Sequence, residues 1–185
     1  YSAGQKLKNV TGTVLAYRQK PYFNRGPFHF SSHQHTPNDV SAPKTPAAVV
    51  KGNIAYIGWN IFEDYANKGE LVDRELVLKA VDCLLGDERT VRTTLPDRGV
   101  VTVTRQGDRH VVHLLFAHTT VRGKKTEVIE DAVPVMNVPV SLRLPEAPRK
   151  VYLAPEETPI PFEWDGKRVT FTVPQVLLHQ MVVCE

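Results

Sequence analysis

The chain has 185 residues, 42% hydrophobic and 23% charged, with a net charge of +3 at neutral pH, the composition of an ordinary globular protein of one large domain or two small ones. No apolar run approaches the roughly 18 residues of a membrane-spanning helix, so no membrane partner is expected. The charge is uneven: residues 1–62 hold seven lysines and arginines against one acid, Asp39, while the remaining 123 carry a surplus of three acids. Those cations are spaced singly, without the clusters or signatures of nucleic-acid recognition, so no nucleic acid is expected either.

In chain order, residues 10–17 read as a strand. A loop rich in aromatics and histidines follows, and Pro21, Pro27, Pro37, Pro43 and Pro46 exclude a long helix there. Val49-Val50 and residues 54–57 read as two strands joined at Lys51-Gly52-Asn53, a tight turn. Asn60 is placed to cap a short helix through its side chain, and Gly69 to stop it. A second helix is predicted from about Leu71 to Gly86, with Leu76, Val77, Ala80, Val81 and Leu84 on one apolar face.

Beyond Gly86 the helical period gives way to alternation. Val101 and Val103 alternate with threonines, Gln106-Gly107-Asp108 turns the chain, and residues 110–116 return as an apolar strand. Val138, Val140, Leu142 and Leu144 share one face of another strand, and Asp165-Gly166 is a hairpin signal between two more. About eight short strands at this spacing predict an antiparallel β-sandwich over residues 87–185, preceded by an α/β unit over residues 1–86. The fold class is thus α+β. Cys83 and Cys184 are expected to be buried thiols rather than a disulfide framework.

Several residues invite chemistry. His29, His33 and His35 would share a face of an unbroken strand, as zinc ligands can. No cysteine or neighbouring carboxylate completes a site, so they are read as structural loop histidines, with no metal and no cofactor. Glu63-Asp64 is read as a solvated helix start favoured by the helix dipole, not a glycosidase carboxylate pair. Ser31, Ser32 and His33 lack the surroundings of a nucleophile elbow. His113 is read as a core histidine, and Trp164 as a core or edge residue of the sandwich. Tyr22, Phe23, Trp59 and Trp164 are the aromatics that a sugar ring could stack on. The charged, irregular segment Tyr22-Phe23-Asn24-Arg25, with His33, His35 and Trp59, forms the candidate ligand or interface region, because specified loops carry function more often than core strands.

Taken together, Pro21-Tyr-Phe-Asn-Arg, Phe30-Ser-Ser-His-Gln-His-Thr-Pro, Gly52-Asn-Ile-Ala-Tyr-Ile, Ile61-Phe-Glu-Asp-Tyr-Ala and Arg74-Glu-Leu-Val-Leu-Lys-Ala-Val-Asp resemble the end of a β-galactosidase trimerisation-type domain. That domain has an amidotransferase-like fold and occurs in glycoside hydrolase family 42 and related bacterial glycosidases. Val100-Val-Thr-Val-Thr-Arg-Gln, Val138-Pro-Val-Ser-Leu-Arg-Leu-Pro and Lys150-Val-Tyr-Leu-Ala-Pro are similar to the sandwich that follows it. The resemblance implies a non-catalytic C-terminal region that supports subunit assembly and a catalytic (β/α)8 barrel. The glutamates of that barrel have no counterpart among these residues, so no catalytic residue is carried over. It implies as partners the rest of a parent hydrolase or further copies of the chain. It also implies a bacterial protein, with the cytoplasm and the periplasm both open. The chain starts at Tyr1 rather than Met, in the manner of a fragment or processed product. The alternative reading is a free-standing carbohydrate-binding module that uses the Tyr22–His35 loop, and a weaker third is a metal-dependent hydrolase built on His29, His33 and His35. Assembly requires a large apolar surface on the first part, whereas sugar binding requires exposed coplanar aromatics.

Overall fold

The structure is a computed structural model that describes residues 4–8, 10–22, 25–30 and 36–185. The chain divides into two compact units, Tyr1–Asp87 and Glu88–Glu185.

The first unit is built on a three-stranded sheet of β1 (Thr13–Arg18), β4 (Thr45–Lys51) and β5 (Ile54–Ile57), in the order β1-β4-β5. Between β1 and β4 lie the two-residue strands β2 (Arg25–Gly26) and β3 (His29–Phe30). Both sheet pairings are antiparallel, so no parallel crossover exists among the described strands. The tight turn falls at Gly52, whose φ of +55° suits a residue without a Cβ. Pro46 lies in the central strand, opposite Tyr17, and the β1–β4 register slips beside it. That placement follows from the amide proton that proline cannot donate to a ladder.

Helix α1 (Ile61–Lys68) ends at Gly69, which takes the left-handed conformation (φ +67°) and donates its N–H to the Tyr65 carbonyl. Asn60 precedes α1 but makes no side-chain capping bond; its amide instead donates to Glu63 Oε2 at 3.1 Å. The expected capping chemistry is therefore replaced by a contact between side chains. Helix α2 (Leu71–Leu85) packs on α1 and lies against β1, β4 and β5. Its expected apolar face is the inner one as far as Val81, with Ala80 buried and Leu84 38% exposed. Cys83 is exposed, contrary to expectation: it lies in the last turn of α2, where Leu84 and Leu85 are exposed as well. Only Ala47, Ala48, Ile61 and Ala80 are fully buried apolar residues among the described part of this unit.

The second unit begins with β6 (Val91–Thr93), β7 (Val100–Gln106), β8 (Arg109–Phe116), β9 (Thr120–Arg122) and β10 (Thr126–Val128). It continues through β11 (Val135–Arg143), β12 (Val151–Ala154), β13 (Thr158–Pro159), β14 (Phe162–Trp164), β15 (Arg168–Val176) and β16 (Leu178–Cys184). Eleven strands thus replace the eight expected, the additions being two- and three-residue pieces too short to alternate visibly. A four-stranded sheet, β14-β15-β11-β6, and a five-stranded sheet, β13-β12-β16-β8-β7, contribute to one core, with β9 and β10 as a separate ribbon. Register places apolar side chains opposite one another: Val138 faces Val173, Val140 faces Phe171 and Leu142 faces Val169, all buried. From the other sheet Val112, Leu114 and Val182 close on them with no exposure. Each such residue contributes roughly 1.5–3 kcal/mol by leaving water. Cys184 joins this core, where burial pushes its thiol up to about 12. Trp164 sits on the edge strand β14 and packs on the core, as expected.

The hairpin at Asp165-Gly166 is fastened by the Asp165 carboxylate. It accepts the amides of Lys167 (2.8 Å) and Arg168 (2.7 Å), which hold its carboxyl below the usual carboxylate range. Next to it Arg168 is buried. Its guanidinium donates to Ser141 Oγ (2.8 Å), the Ser141 carbonyl (2.8 Å) and the Arg89 carbonyl (2.7 Å).

Candidate functional site

Of the residues singled out in the sequence, Phe23, Asn24, His33 and His35 lie outside the described residues. Arg25 opens β2. Tyr22 is 45% exposed, and its amide donates to the Pro37 carbonyl at 2.6 Å, which closes the base of the long loop. An antiparallel bridge between Pro21 and Asn38 and a bond from the Asp39 amide to the Lys20 carbonyl (2.8 Å) complete that closure.

Trp59 is the residue around which the first unit has two clefts. It follows Gly58, a buried glycine. A Cβ at Gly58 would meet the Ala47 carbonyl oxygen at 3.0 Å and the Gln5 carbonyl oxygen at 3.3 Å. The absent side chain allows Gly58 to donate to Ala47 (2.8 Å) and to accept from the Gln5 amide (2.5 Å). This knot carries the chain from β5 into α1, with Trp59 as the next residue.

On one side of Trp59 is a polar cleft of about 340 Å³, lined by Tyr17, Arg18, Trp59, Asp64, Glu70 and Asp73. Arg18 crosses it to donate to the Gly4 carbonyl at 3.0 Å. Asp64 and Asp73 are both buried. The reading of Glu63-Asp64 as a solvated pair therefore holds for Glu63 and fails for Asp64, which turns inward one helical step later. Burial raises the Asp73 carboxyl above its usual range, and the neighbouring Glu70 and Asp64 charges raise it further, against a hydrogen bond from Trp59. The indole N–H is thus engaged inside the unit.

The shift has a stability consequence. A carboxyl whose folded-state pKa is raised contributes stability that is complete below its unfolded value of about 3.8 and is lost as pH rises through the folded value. Asp73→Asn removes that loss while keeping an oxygen that accepts from Trp59. The variant is expected to melt above the wild type at pH 7 and level with it near pH 3.5. Thermal unfolding at both pH values checks this, and a lower melting point at pH 7 would contradict it.

On the other side of Trp59 is an apolar groove of about 660 Å³ between β5 and the helices, lined by Tyr56, Ile57, Phe62, Val77, Val81 and Leu84 among others. Large apolar side chains stand exposed along it: Phe62 at 73%, Tyr56 at 47% and, just beyond, Ile54 at 70%. This unit thus exposes both aliphatic and aromatic side chains along one groove.

The sandwich offers no stacking platform. None of its five aromatics (Phe116, Tyr152, Phe162, Trp164 and Phe171) is exposed, and the Lys150 ammonium covers the Tyr152 ring at 4.3 Å. His113 is not a core residue. Val112 and Leu114 point into the core, so His113 lies on the outer face of its sheet. There its Nδ1 meets His179 Nε2 at 3.2 Å, with ring planes within 6°, and its Nε2 stands 3.4 Å from Thr104 Oγ1. One ring must donate and the other accept. Sequence spacing could not pair two histidines 66 positions apart. Among the described residues no three His, Cys, Asp or Glu side chains are grouped to hold a metal.

No family model and no curated protein matches the chain. Among solved structures, the α-L-fucosidase isoenzyme 2 from Paenibacillus thiaminolyticus is similar over all of the chain, with 46% identity and a TM-score of 0.90. The chain spans 28% of that protein's length. A cycloisomaltooligosaccharide glucanotransferase from Paenibacillus sp., complexed with cycloisomaltoheptaose, shares 17% identity over 51% of the chain and 16% of its own, at a TM-score of 0.37. That value is too low for any conclusion. The expected likeness to part of a glycoside hydrolase is therefore present, with a fucosidase as the relative rather than a β-galactosidase.

Proposed function

We propose that this chain is a non-catalytic, C-terminal region of a bacterial glycoside hydrolase, with a role in subunit assembly and in supporting a catalytic barrel. The observation that carries the reading is the 46% identity, in a match covering the whole chain, to a part making up 28% of an α-L-fucosidase. The parent's substrate on this reading is an α-L-fucoside or, following the family-42 resemblance, a β-galactoside. The first unit is then the end of a trimerisation-type, amidotransferase-like domain. Its apolar groove and exposed Phe62, Tyr56 and Ile54 supply the kind of surface that assembly requires. The alternative, a carbohydrate-binding module using the 22–35 loop, finds no exposed aromatic on the sandwich, while Tyr22 of that loop is 45% exposed.

The test is direct. The purified chain is expected to show no turnover of 4-nitrophenyl α-L-fucoside or 4-nitrophenyl β-galactoside. Turnover abolished by one Asp or Glu substitution within the chain would overturn the reading.

A further inference from the structure

The edge of β5 and the apolar groove beside it belong to one feature. β5 is the outer strand of its sheet, and no described strand pairs with its far side. The two-residue turn makes Lys51 and Ile54 the first bonded pair of the hairpin. Hydrogen bonding to β4 then alternates, so the N–H and C=O of Ala55 point outward, to the open edge. An exposed edge is usually guarded by a charge, a proline or a bulge. Ile54-Ala-Tyr-Ile has neither charge nor proline, and its pairing with β4 runs without a register shift. The opposite edge, β1, has two register shifts and ends on Arg18.

α2 lies against β1, β4 and β5, and at the β5 edge Val77, Val81 and Leu84 of α2, with Phe62 of α1, line an open apolar groove together with Tyr56 and Ile57 of β5. An apolar groove between helices and an unpaired edge strand has the form of a helix–sheet layer one strand short.

We propose that this socket receives one further β-strand, added to the β5 edge and supplied by the part of the parent hydrolase polypeptide outside these 185 residues. Its inward side chains are apolar and sit against Phe62, Val81 and Leu84; its outward ones lie beside Ile54 and Tyr56. The inference rests on the reading of the chain as a part of a glycoside hydrolase, since the fucosidase relative extends well beyond the 28% that the chain spans. A second copy fits less well. Its own β5 would cover the edge, but its Ala55 and Ile57 already lie under its own helices, so both grooves would stay open.

The test is co-production of the 185-residue chain with the P. thiaminolyticus α-L-fucosidase polypeptide lacking its matching part. Co-purification in equal amounts is expected. Ala55→Pro, which removes the outward donor, and Phe62→Lys, which charges the groove at an exposed position, are each expected to weaken it at least tenfold. Unchanged far-ultraviolet circular dichroism of both variants shows that they fold. Association that neither variant weakens overturns the socket and leaves the functional reading standing. No association of the wild type overturns both. A dimer of the chain alone that Ala55→Pro dissolves makes the occupant a second copy and overturns the proposal.

Discussion

Arg168→Ala is expected to destabilise the sandwich by about 3 kcal/mol, a fall in Tm of roughly 10–20 °C. Arg168 is 8% exposed, and its guanidinium donates to one hydroxyl and to main-chain carbonyls of two separate segments, residues 89–90 and Ser141. Truncation removes those bonds and with them the side-chain link between the two segments. Arg168→Lys keeps the charge but replaces a planar fork by a single ammonium, which cannot reach both segments in the same geometry; it should fall between the two. Thermal unfolding of the three proteins decides the matter. An alanine variant within 1 kcal/mol of wild type, as an exposed arginine would give, would show that these bonds contribute little.

A polypeptide of residues 88–185 is expected to fold alone, whereas one of residues 1–87 should self-associate or stay largely unfolded. The contrast follows from what each unit buries. The sandwich encloses Leu114, Leu142, Phe171 and some ten further apolar side chains in one cluster, enough for a domain of about 100 residues. The first unit fully buries three alanines and one isoleucine among its described apolar residues, while Ile54, Phe62, Leu71 and Val72 are each more than 60% exposed. Burial of so little apolar area cannot offset the conformational entropy of ordering the chain. Sedimentation and circular dichroism of the two polypeptides check this. A cooperatively folded, strictly monomeric 1–87 would remove the main physical support for an assembly role.

The sequence made some of these features legible and hid others for definite reasons. Val138, Val140, Leu142 and Leu144 alternate with polar or proline residues, so their shared inner face could be read directly. Asp165-Gly166 and Gly69 were legible because each marks a conformation that few residues adopt. His113 was misplaced because residues 111–115 are apolar on both faces, and alternation then gives no parity. Arg168 and Asp64 were hidden because charge alone predicts exposure, and only tertiary partners overrule it. Cys83 was misjudged because α2 carries leucines on two opposite faces, the exposed Leu71, Leu78 and Leu85 on one and Leu76 and Leu84 on the other, so apolar character alone does not mark the inner side. The groove at Trp59 had no local signal: its existence depends on β5 being the last strand of its sheet, a fact of topology. Trp59 itself was picked out as an aromatic for sugar, yet its indole is bonded to Asp73 and helps to build the unit.

The strand order of the sandwich bears on how it can be made. β16, the last of its strands in sequence, occupies the middle of the five-stranded sheet, between β12 and β8. As the chain emerges during synthesis, β7–β8 and β12–β13 can form two hairpins, but neither can join the other until residues 178–184 are available. Until then β8 and β12 each present an open edge, and the apolar face beneath them has no closing strand. Such late, long-range closure makes folding slow and leaves the nascent sandwich open to mispairing. A stop codon a few residues before Cys184 would therefore remove the keystone of the sheet rather than fray its border.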